Sequence, residues 1–550
     1  MTPPRKCITV VDLLIERLKE CGLQRLFGVP GGGSSMDLID AARRAGLDFV
    51  LTRREDSGMV MAAVTAWLSN APGLALATKG PGVTSAANGL ASAFLDRAPV
   101  LFVSDGFDDD ELRYVSHQYF DQSALLGPVT KDFSLLNGDD PAAQIDALVL
   151  AMTDAPKGPC YVELTGAAAR REITVGNKGG ARDCTSLETP DADELGVDQL
   201  DNARNLIAAA KRPVIIAGLE AATPENAAAI RNAVNALNAP ALVTYMGKGV
   251  VPDQDANFAG IFTGGQAEYA CVSNADLIIL TGLDPVELIR KPWAYTAPVI
   301  DISEAHHEKH YMTPECGLYG PVAGTLAQLS DCFAPSDWTA SEIETHRDKF
   351  HQAMAYKDRP NLTPVDIVKM AASAFGGQAE DAPRLAVDAG AHMFSAIAFW
   401  SAYQPLDVLI SNGLATMAFA LPAGLAAALH DPKRGAVAMT GDGGLMMCLG
   451  ELVTAAQQKA NLTVIVFNDG SLSLIDIKRQ ELQMADLGFS WDRPDFAAAA
   501  RGFGCSAWRV SSRAELDDAL KNAADANGPC LIDVHLDPDG YIEQMRALRG

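Results

Sequence analysis

At 550 residues the chain exceeds what one ordinary core organises, and roughly 100–200 residues per domain puts the expectation at about two to four domains. A hydrophobic share of 48% and a charged share of 21% exclude wholesale disorder. The formal charge of −25 argues against nucleic acid as a partner, since binding phosphates requires basic clusters.

The first residues, MTPPRKCITVVDLLIERLKE, hold no uninterrupted apolar core before a small-residue cleavage site, so no secretory signal is expected. The longest apolar stretch, 415–429, is broken by Pro422 and Gly424 and is too short for a bilayer. It reads as the start of a buried helix, and no membrane is expected. Ten cysteines stand singly, without a C-x-x-C pair or a His cluster beside them. Reduced thiols in a cytoplasmic protein are the expectation.

A first α/β block occupies 1–180. Residues 11–21 have the apolar spacing of a helix, and runs at 26–29, 49–52, 74–78, 100–104 and 160–164 read as strands. The first strand ends in Pro30-Gly31-Gly32-Gly33, with Ser34 and Ser35 as candidate caps for a helix beginning near Met36. The second leads into Arg53-Arg54-Glu55 and a helix rich in Ala and Met; the third leads into Gly80-Pro81-Gly82. Residues 174–196 turn polar and read as a linker. A second block, 190–340, has strands at 213–217, 241–245, 277–280 and 299–301. The pattern loosens over 334–361, and a third block, 360–550, has strands at 408–410, 436–439, 462–467 and 530–534. Strands alternating with helices imply parallel sheets, so the fold class is α/β with three doubly wound parallel-sheet domains. The first and third blocks share a strand–Gly turn–helix pattern, as two related domains would.

The most informative stretch is 436–480. It reads as a strand, a Gly441-Asp442-Gly443-Gly444 turn, one crossover helix at 445–460, and a strand ending in Asn468-Asp469-Gly470. Asp442 and Asn468 therefore sit at carboxyl ends of strands, where open α/β sheets bind ligands. Two side-chain oxygens and the Gly470 carbonyl, with room left for waters and phosphates, suit Mg²⁺. The glycines let backbone approach a phosphate, and the following helix start offers free N–H groups. Glu55 by itself is an acid at a helix N-terminus, where the macrodipole favours it.

In their order, FGVPGGGSSMDL at 27–38, RRE at 53–55, TKGPGVTSAANGLA at 78–91, HQYFDQSALLGPVTK at 117–131, ISNGLATMAFALPAGLAAAL at 410–429 and the GDGG…NDG pair resemble the acetolactate-synthase-like group of thiamin diphosphate (ThDP) enzymes. The resemblance spans nearly the whole chain. It implies a pyrimidine-binding domain at 1–180, a central domain at 190–340 and a diphosphate-binding domain at 360–550. It also implies a homodimer or homotetramer whose sites lie at subunit interfaces, each joining Glu55 of one subunit to Asp442 of another. ThDP and Mg²⁺ are the implied cofactors, with Asp442, Asn468 and the Gly470 carbonyl as metal ligands. Implied cofactor contacts are Pro30, Gly390, His392, Gly413, Ala415, Gly441, Gly443, Gly444, Ser471 and Leu472, with Met417 as the wedge that bends the cofactor. Glu55 is the implied acid that activates the cofactor through its pyrimidine ring.

Gln118 is expected to orient the reacting oxygen and His117 to move protons near neutral pH. Gly32, Gly33, Leu474 and Ile475 are expected to line the substrate pocket. The pair His117-Gln118 stands between the Phe-Gln of acetolactate-type enzymes and the His-His of pyruvate decarboxylases. Gly32 stands where those decarboxylases carry Asp, and Leu474-Ile475 where they carry Ile-Glu, with Asp476 one residue beyond. Arg54 and Lys79 add cationic groups that suit a carboxylate substrate. The run TGLDPVELIRKPW lacks the Phe-Asp-Asp-Arg-like segment of FAD-binding relatives, which argues against FAD and makes the central domain structural.

The expected activity is decarboxylation of a small-molecule 2-oxo acid followed by carboligation. The alternatives are a simple non-oxidative 2-oxo acid decarboxylase, a lyase acting on a 2-hydroxy ketone or 2-hydroxyacyl-CoA, and a non-catalytic ThDP-binding sensor. Intact Glu55, Asp442 and Asn468 stand against the last.

Overall fold

Short runs of Val, Ile, Leu and Ala, buried on both faces, build three six-stranded parallel sheets, as sheets covered by helices on each side require. The computed structural model describes residues 6–175, 196–356, 359–376 and 382–549, so most of the expected linker lies outside the described residues. The first block contains β1 (Lys6–Thr9), β2 (Arg25–Val29), β3 (Asp48–Leu51), β4 (Gly73–Ala77), β5 (Val100–Asp105), β6 (Phe133–Ser134), β7 (Cys160–Leu164) and β8 (Glu172–Val175). Its sheet has the order β3-β2-β4-β5-β7-β6, and β1 pairs separately with β8, antiparallel.

The central block contains β9 (Pro213–Ala217), β10 (Ala241–Val243), β11 (Phe258–Ile261), β12 (Leu277–Thr281), β13 (Val299–Ser303) and β14 (Cys316–Tyr319), in the order β11-β10-β9-β12-β13-β14. The third contains β15 (Arg384–Val387), β16 (Val408–Ile410), β17 (Ala436–Gly441), β18 (Leu462–Asn468), β19 (Ser506–Val510) and β20 (Cys530–His535), in the order β16-β15-β17-β18-β20-β19. The first and third sheets thus share one strand order, which supports their reading as related domains. The winding reverses between β2 and β4 in one and between β15 and β17 in the other. Those are the switch points at which such sheets bind ligands.

Compactness divides the chain differently from sequence order. One unit joins the first sheet to residues 413–432 and 448–460; the other joins the central and third sheets. In the first unit, helix Ala420–His430 packs against helix Glu55–Ser69. Gly58, Ala62, Ala63 and Ala66 on one helix, and Ala420, Ala423, Gly424 and Ala427 on the other, are all buried. Small side chains of this kind let two helix backbones approach closely.

Several expectations are corrected. Ser34 and Ser35 do not cap a helix; they are its first two residues, Gly33 is the cap position, and both hydroxyls turn to Asp105. The loosened stretch at 334–361 contains helix Ala340–Met354, started by a capping box of Thr339 and Glu342. Its polar sequence conceals it, since only Ile343, Phe350 and Met354 are buried. The single crossover helix at 445–460 is two helices, Asp442–Cys448 and Glu451–Gln458, broken around Gly450. Strands β6, β11, β14, β15 and β19 escape sequence reading because they are short or partly exposed. Eight cysteines are free among the described residues. Among the described residues, no helix is long and apolar enough to cross a membrane.

The central sheet has the strand order of dinucleotide-binding folds, but its switch point is acidic. Glu220 follows β9, and Asp284 and Glu287 follow β12; the Glu220 carboxylate lies 3.1 Å from His307. Glu287 accepts hydrogen bonds from the Leu219 N–H (2.7 Å) and the Thr244 hydroxyl (2.5 Å). Burial first, then the charges of Asp284 and Glu220, push its carboxyl up to about 8. Between the unfolded value of about 4.3 and this one, the folded chain binds the extra proton, so stability falls as pH rises. Glu287→Gln is expected to flatten the decline of the thermal midpoint between pH 5 and 8, relative to the unaltered chain, in melts recorded across that range.

Candidate active site

At the switch point of the third sheet, β15, β17 and β18 deliver their following residues together. Asp442 is 2% exposed; one carboxylate oxygen accepts the Gly443 N–H (2.8 Å) and the other the Gly470 N–H (2.8 Å). Asp442 thereby ties the turn after β17 to the turn after β18. Gly470 adopts φ +76°, a left-handed conformation that suits glycine, and its carbonyl takes the Trp491 N–H at 2.8 Å while a second lone pair remains. Burial raises the Asp442 carboxyl. Burial, with the Asp442 charge adding, pushes neighbouring Asp469 up to about 7.

Asn468 is fully buried, and its amide nitrogen donates to Asp533 (2.8 Å) and to the Pro494 carbonyl (3.2 Å). That fixes the amide orientation and leaves Oδ1 buried without a hydrogen-bond partner. A buried orphan acceptor is costly unless something satisfies it, and a hard divalent cation would. The backbone beside it is a cradle. A Cβ on Gly444 would stand 2.1 Å from Asp388 Oδ2, and one on Gly390 2.7 Å from the His392 ring. The donor set and the cradle fit a metal-bound diphosphate.

The His392 side chain is turned into the core. Its ring stacks on Phe467 (5.1 Å between centroids), bonds to the Met439 carbonyl, and has a buried, unpartnered Nε2. Burial depresses it to about 4, so the ring is neutral and supports the Gly390 and Gly441 turns. What it can offer a phosphate is the backbone N–H at the start of helix His392–Phe399. Ser471 and Leu472 are tied to the Phe489 carbonyl. Leu474 and Ile475 lie on helix Ser473–Glu481, none of whose residues is buried, and Ile475 is 49% exposed. Asp476 is held by Arg479 (2.6 Å) and Gln480 (2.7 Å).

The first unit assembles the other expected residues. Buried Asp105, at the end of β5, accepts from Ser34 Oγ (2.9 Å) and from Ser35 N (2.6 Å) and Oγ (3.1 Å). The Pro30–Gly33 turn wraps it; a Cβ on Gly31 would lie 2.3 Å from Asp105 and from Thr78, while Gly32 faces open space. Sequence reading missed Asp105, because only its distance from Ser34 in three dimensions reveals its role. Glu55 begins helix Glu55–Ser69, and its Oε1 lies 3.5 Å from where a Cβ on Gly82 would stand. Gly80 touches the backbone of Gln118, which takes φ +59°. The structure therefore brings Glu55, the turn after β4 and the His117-Gln118 loop into one region, with both loop side chains exposed.

Lys79 is half-buried there, its Nζ 3.8 Å from the Phe107 ring centroid and 3.1 Å from the Gly106 carbonyl. Arg54 is not a pocket cation: it makes a bidentate pair with Asp56 at 3.0 and 3.1 Å and is half exposed. Met417 lies between Ala415 (φ +54°) and Ala418 (φ +67°), two left-handed non-glycine residues in a loop anchored by Gly413 N–H to Asp96 (2.6 Å) and by Thr416 to Asn88 (3.1 Å). Strain of this kind persists only when the surroundings over-determine the loop.

Three family models match in succession. They are the thiamine pyrophosphate enzyme N-terminal TPP binding domain at 8–125, the central domain at 200–329, and the C-terminal TPP binding domain at 388–534. Acetolactate synthase of Bacillus subtilis (strain 168) is 26% identical over 543 residues, covering 96% of this chain and 93% of the relative. The catabolic acetolactate synthase of Raoultella terrigena is 28% identical over 549 residues, covering 96% and 94%. Among solved structures, the thiamine diphosphate-dependent 4-hydroxybenzoylformate decarboxylase of Rhodococcus jostii RHA1 superposes with a TM-score of 0.82 at 20% identity, covering 97% of this chain and all of that one. At that identity the likeness establishes the fold.

Gly444→Ala tests the cradle. Overpacking against Asp388 costs about 1–3 kcal/mol, so ThDP affinity measured by fluorescence quenching is expected to fall about tenfold or more.

Proposed function

The chain belongs to the thiamine pyrophosphate enzymes, and on that premise we propose that it uses ThDP with Mg²⁺ to decarboxylate a 2-oxo acid and join the remaining acyl fragment to a second carbonyl compound. The observation that carries this reading is the orphaned Asn468 Oδ1 beside Asp442, an oxygen pair that suits a cation bearing a diphosphate. Asp442, Asn468 and the free lone pair of the Gly470 carbonyl would hold the ion. Backbone N–H groups around Gly390–His392 and Gly443–Gly444 would hold the diphosphate, and Met417, Gly413 and Ala415 the ring system.

The chemistry supplied by bound ThDP is a carbon that adds to the substrate carbonyl and an electron sink for the carboxylate's departure. Glu55 holds the proton that governs the cofactor's pyrimidine ring. Lys79 receives the substrate carboxylate; its half-buried ammonium lies against the Gly106 carbonyl and the Phe107 ring, with the Glu163 carboxyl near enough to feel its charge. Gln118 orients the carbonyl oxygen. Ligation rather than protonation ends the cycle because no carboxylic acid stands at 32, 474 or 475, and Asp476 is occupied by Arg479 and Gln480.

The same reading makes the enzyme a homodimer or homotetramer that completes its sites between subunits. The exposed Met446 (42%) and Met447 (52%), in the helix that begins at Asp442, suit burial against another subunit. The central domain takes no dinucleotide: Glu220, Asp284 and Glu287 line the switch point at which a pyrophosphate would have to sit. A second reading, simple decarboxylation, is favoured by exposed His117 beside Gln118, since an imidazole there can deliver a proton.

Incubation of the protein, ThDP and Mg²⁺ with a panel of 2-oxo acids, alone and paired with aldehydes or second oxo acids, separates the two. Carboligation products with CO₂ support the first reading, free aldehyde with CO₂ the second, and no CO₂ from any acid refutes both. Glu55→Gln is expected to lower kcat by about 10²-fold or more while ThDP stays bound, as loss of an acid–base group does. Lys79→Met is expected to raise KM for the 2-oxo acid by about tenfold or more, the worth of one charge-assisted hydrogen bond, in steady-state assays.

A further inference from the structure

Glu451 begins helix Glu451–Gln458 and is 0% exposed. Its Oε1 accepts the backbone N–H groups of Arg53 (2.8 Å) and Arg54 (3.1 Å). Its Oε2 accepts the Thr454 hydroxyl at 2.8 Å, and Ser57 adds a further side-chain hydrogen bond. The same helix grips Arg53 twice more: its guanidinium donates to Gln457, and its stem lies over Gly450, where a Cβ would stand 3.2 Å from Arg53 Cβ. Arg54 is the cap position of helix Glu55–Ser69 and has no side-chain cap of its own.

A buried carboxylate is tolerated only when hydrogen bonds replace its water. This one sits at the positive ends of two helices, its own and that of Glu55, where N–H groups and dipoles favour an acceptor. Two of its donors are the amides immediately before Glu55. The backbone that launches the Glu55 side chain is therefore fixed from another part of the sequence, the crossover that begins at Asp442.

We propose that Glu451 is the positioning residue for Glu55: by holding the Arg53 and Arg54 amides it sets where the Glu55 carboxyl emerges, and so how that carboxyl meets the cofactor's pyrimidine ring. The inference rests on the reading of Glu55 given above. Because both amides bond to the same oxygen, acceptor reach is what matters, and the charge is not. Glu451→Gln keeps Oε1 for the amides and turns its NH₂ to the Thr454 hydroxyl, which can accept. Glu451→Asp keeps the charge but withdraws the oxygens by about 1.5 Å, one C–C bond.

Three readouts test this on the full chain: hydrogen exchange of the Arg53 and Arg54 amides without cofactor, ThDP affinity, and deuterium exchange at the cofactor's C2 in the holoenzyme. Glu451→Asp is expected to speed the amide exchange and slow the C2 exchange by about tenfold each, the worth of a lost hydrogen bond, with ThDP affinity within about threefold. Glu451→Gln is expected to stay within about threefold of the unaltered chain in all three and to keep its pH profile. Unchanged exchange in Glu451→Asp overturns the proposal, as does a folded Glu451→Gln whose C2 exchange falls as far as that of Glu451→Asp. Should Glu451→Asp not fold, the unaltered chain decides: its Arg53 and Arg54 amides must exchange about 10²-fold slower than those of the exposed 114–119 loop, and equal rates overturn the proposal. Glu55→Gln serves as the control. Normal turnover in that variant removes the reading of Glu55; inactivity there with normal Glu451→Asp removes this inference alone.

Discussion

The bond from the Asp442 carboxylate to the Gly470 amide is the constraint on which the candidate site depends. It crosses from the end of β17 to the turn after β18, so neither turn can move without the other. Parallel strands bring the two ends side by side, which the in-register pairing of Gly441 with Phe467 makes explicit. Asn468, the last residue of β18, is then held by Asp533, and its remaining oxygen is left buried without a hydrogen-bond partner. A hard cation there, as proposed, would satisfy Asn468 and offset the cost of burying Asp442 in one step.

The first unit solves a related problem with backbone donors. Asp105 gathers the glycine turn after β2 around itself, and Glu451 gathers the two amides before Glu55. Each is a buried carboxylate whose partners are N–H and O–H groups. Such an arrangement spends few side chains and leaves the space above the turn open to a ligand. It also explains a glycine: at Gly31 a side chain would occupy the place of Thr78 or Asp105.

The central sheet shows how a fold and a function part company. Its strand order is that of a dinucleotide-binding domain, yet Glu220 and Asp284 place carboxyl groups at the switch point where a pyrophosphate would sit, and Glu287 adds a carboxyl that burial keeps protonated up to about pH 8. Here the topology describes ancestry of shape, and the side chains decide the chemistry.

What the sequence determined by itself was local. Strands such as β7, β9 and β16 were legible to the residue because they are buried apolar runs between turn signals, and Asp442, Asn468 and Glu55 were legible because each follows such a run. Helix Ala340–Met354 was not legible, because its buried face is three residues wide in a polar sequence, and the break at Gly450 was hidden inside a continuous helical pattern. Ser34 and Ser35 looked like caps because nothing in their neighbourhood in sequence announces Asp105. Tertiary structure alone decided which groups meet: that His392 faces Met439 and Phe467, that Arg54 is spent on Asp56 while Lys79 lies against Gly106 and Phe107, and that Glu451 holds the chain before Glu55. The physical reason is range. Periodicity and turn chemistry act over a few residues, whereas a buried polar group is satisfied by whatever donor the packed fold brings within 3 Å, however far away it lies along the chain.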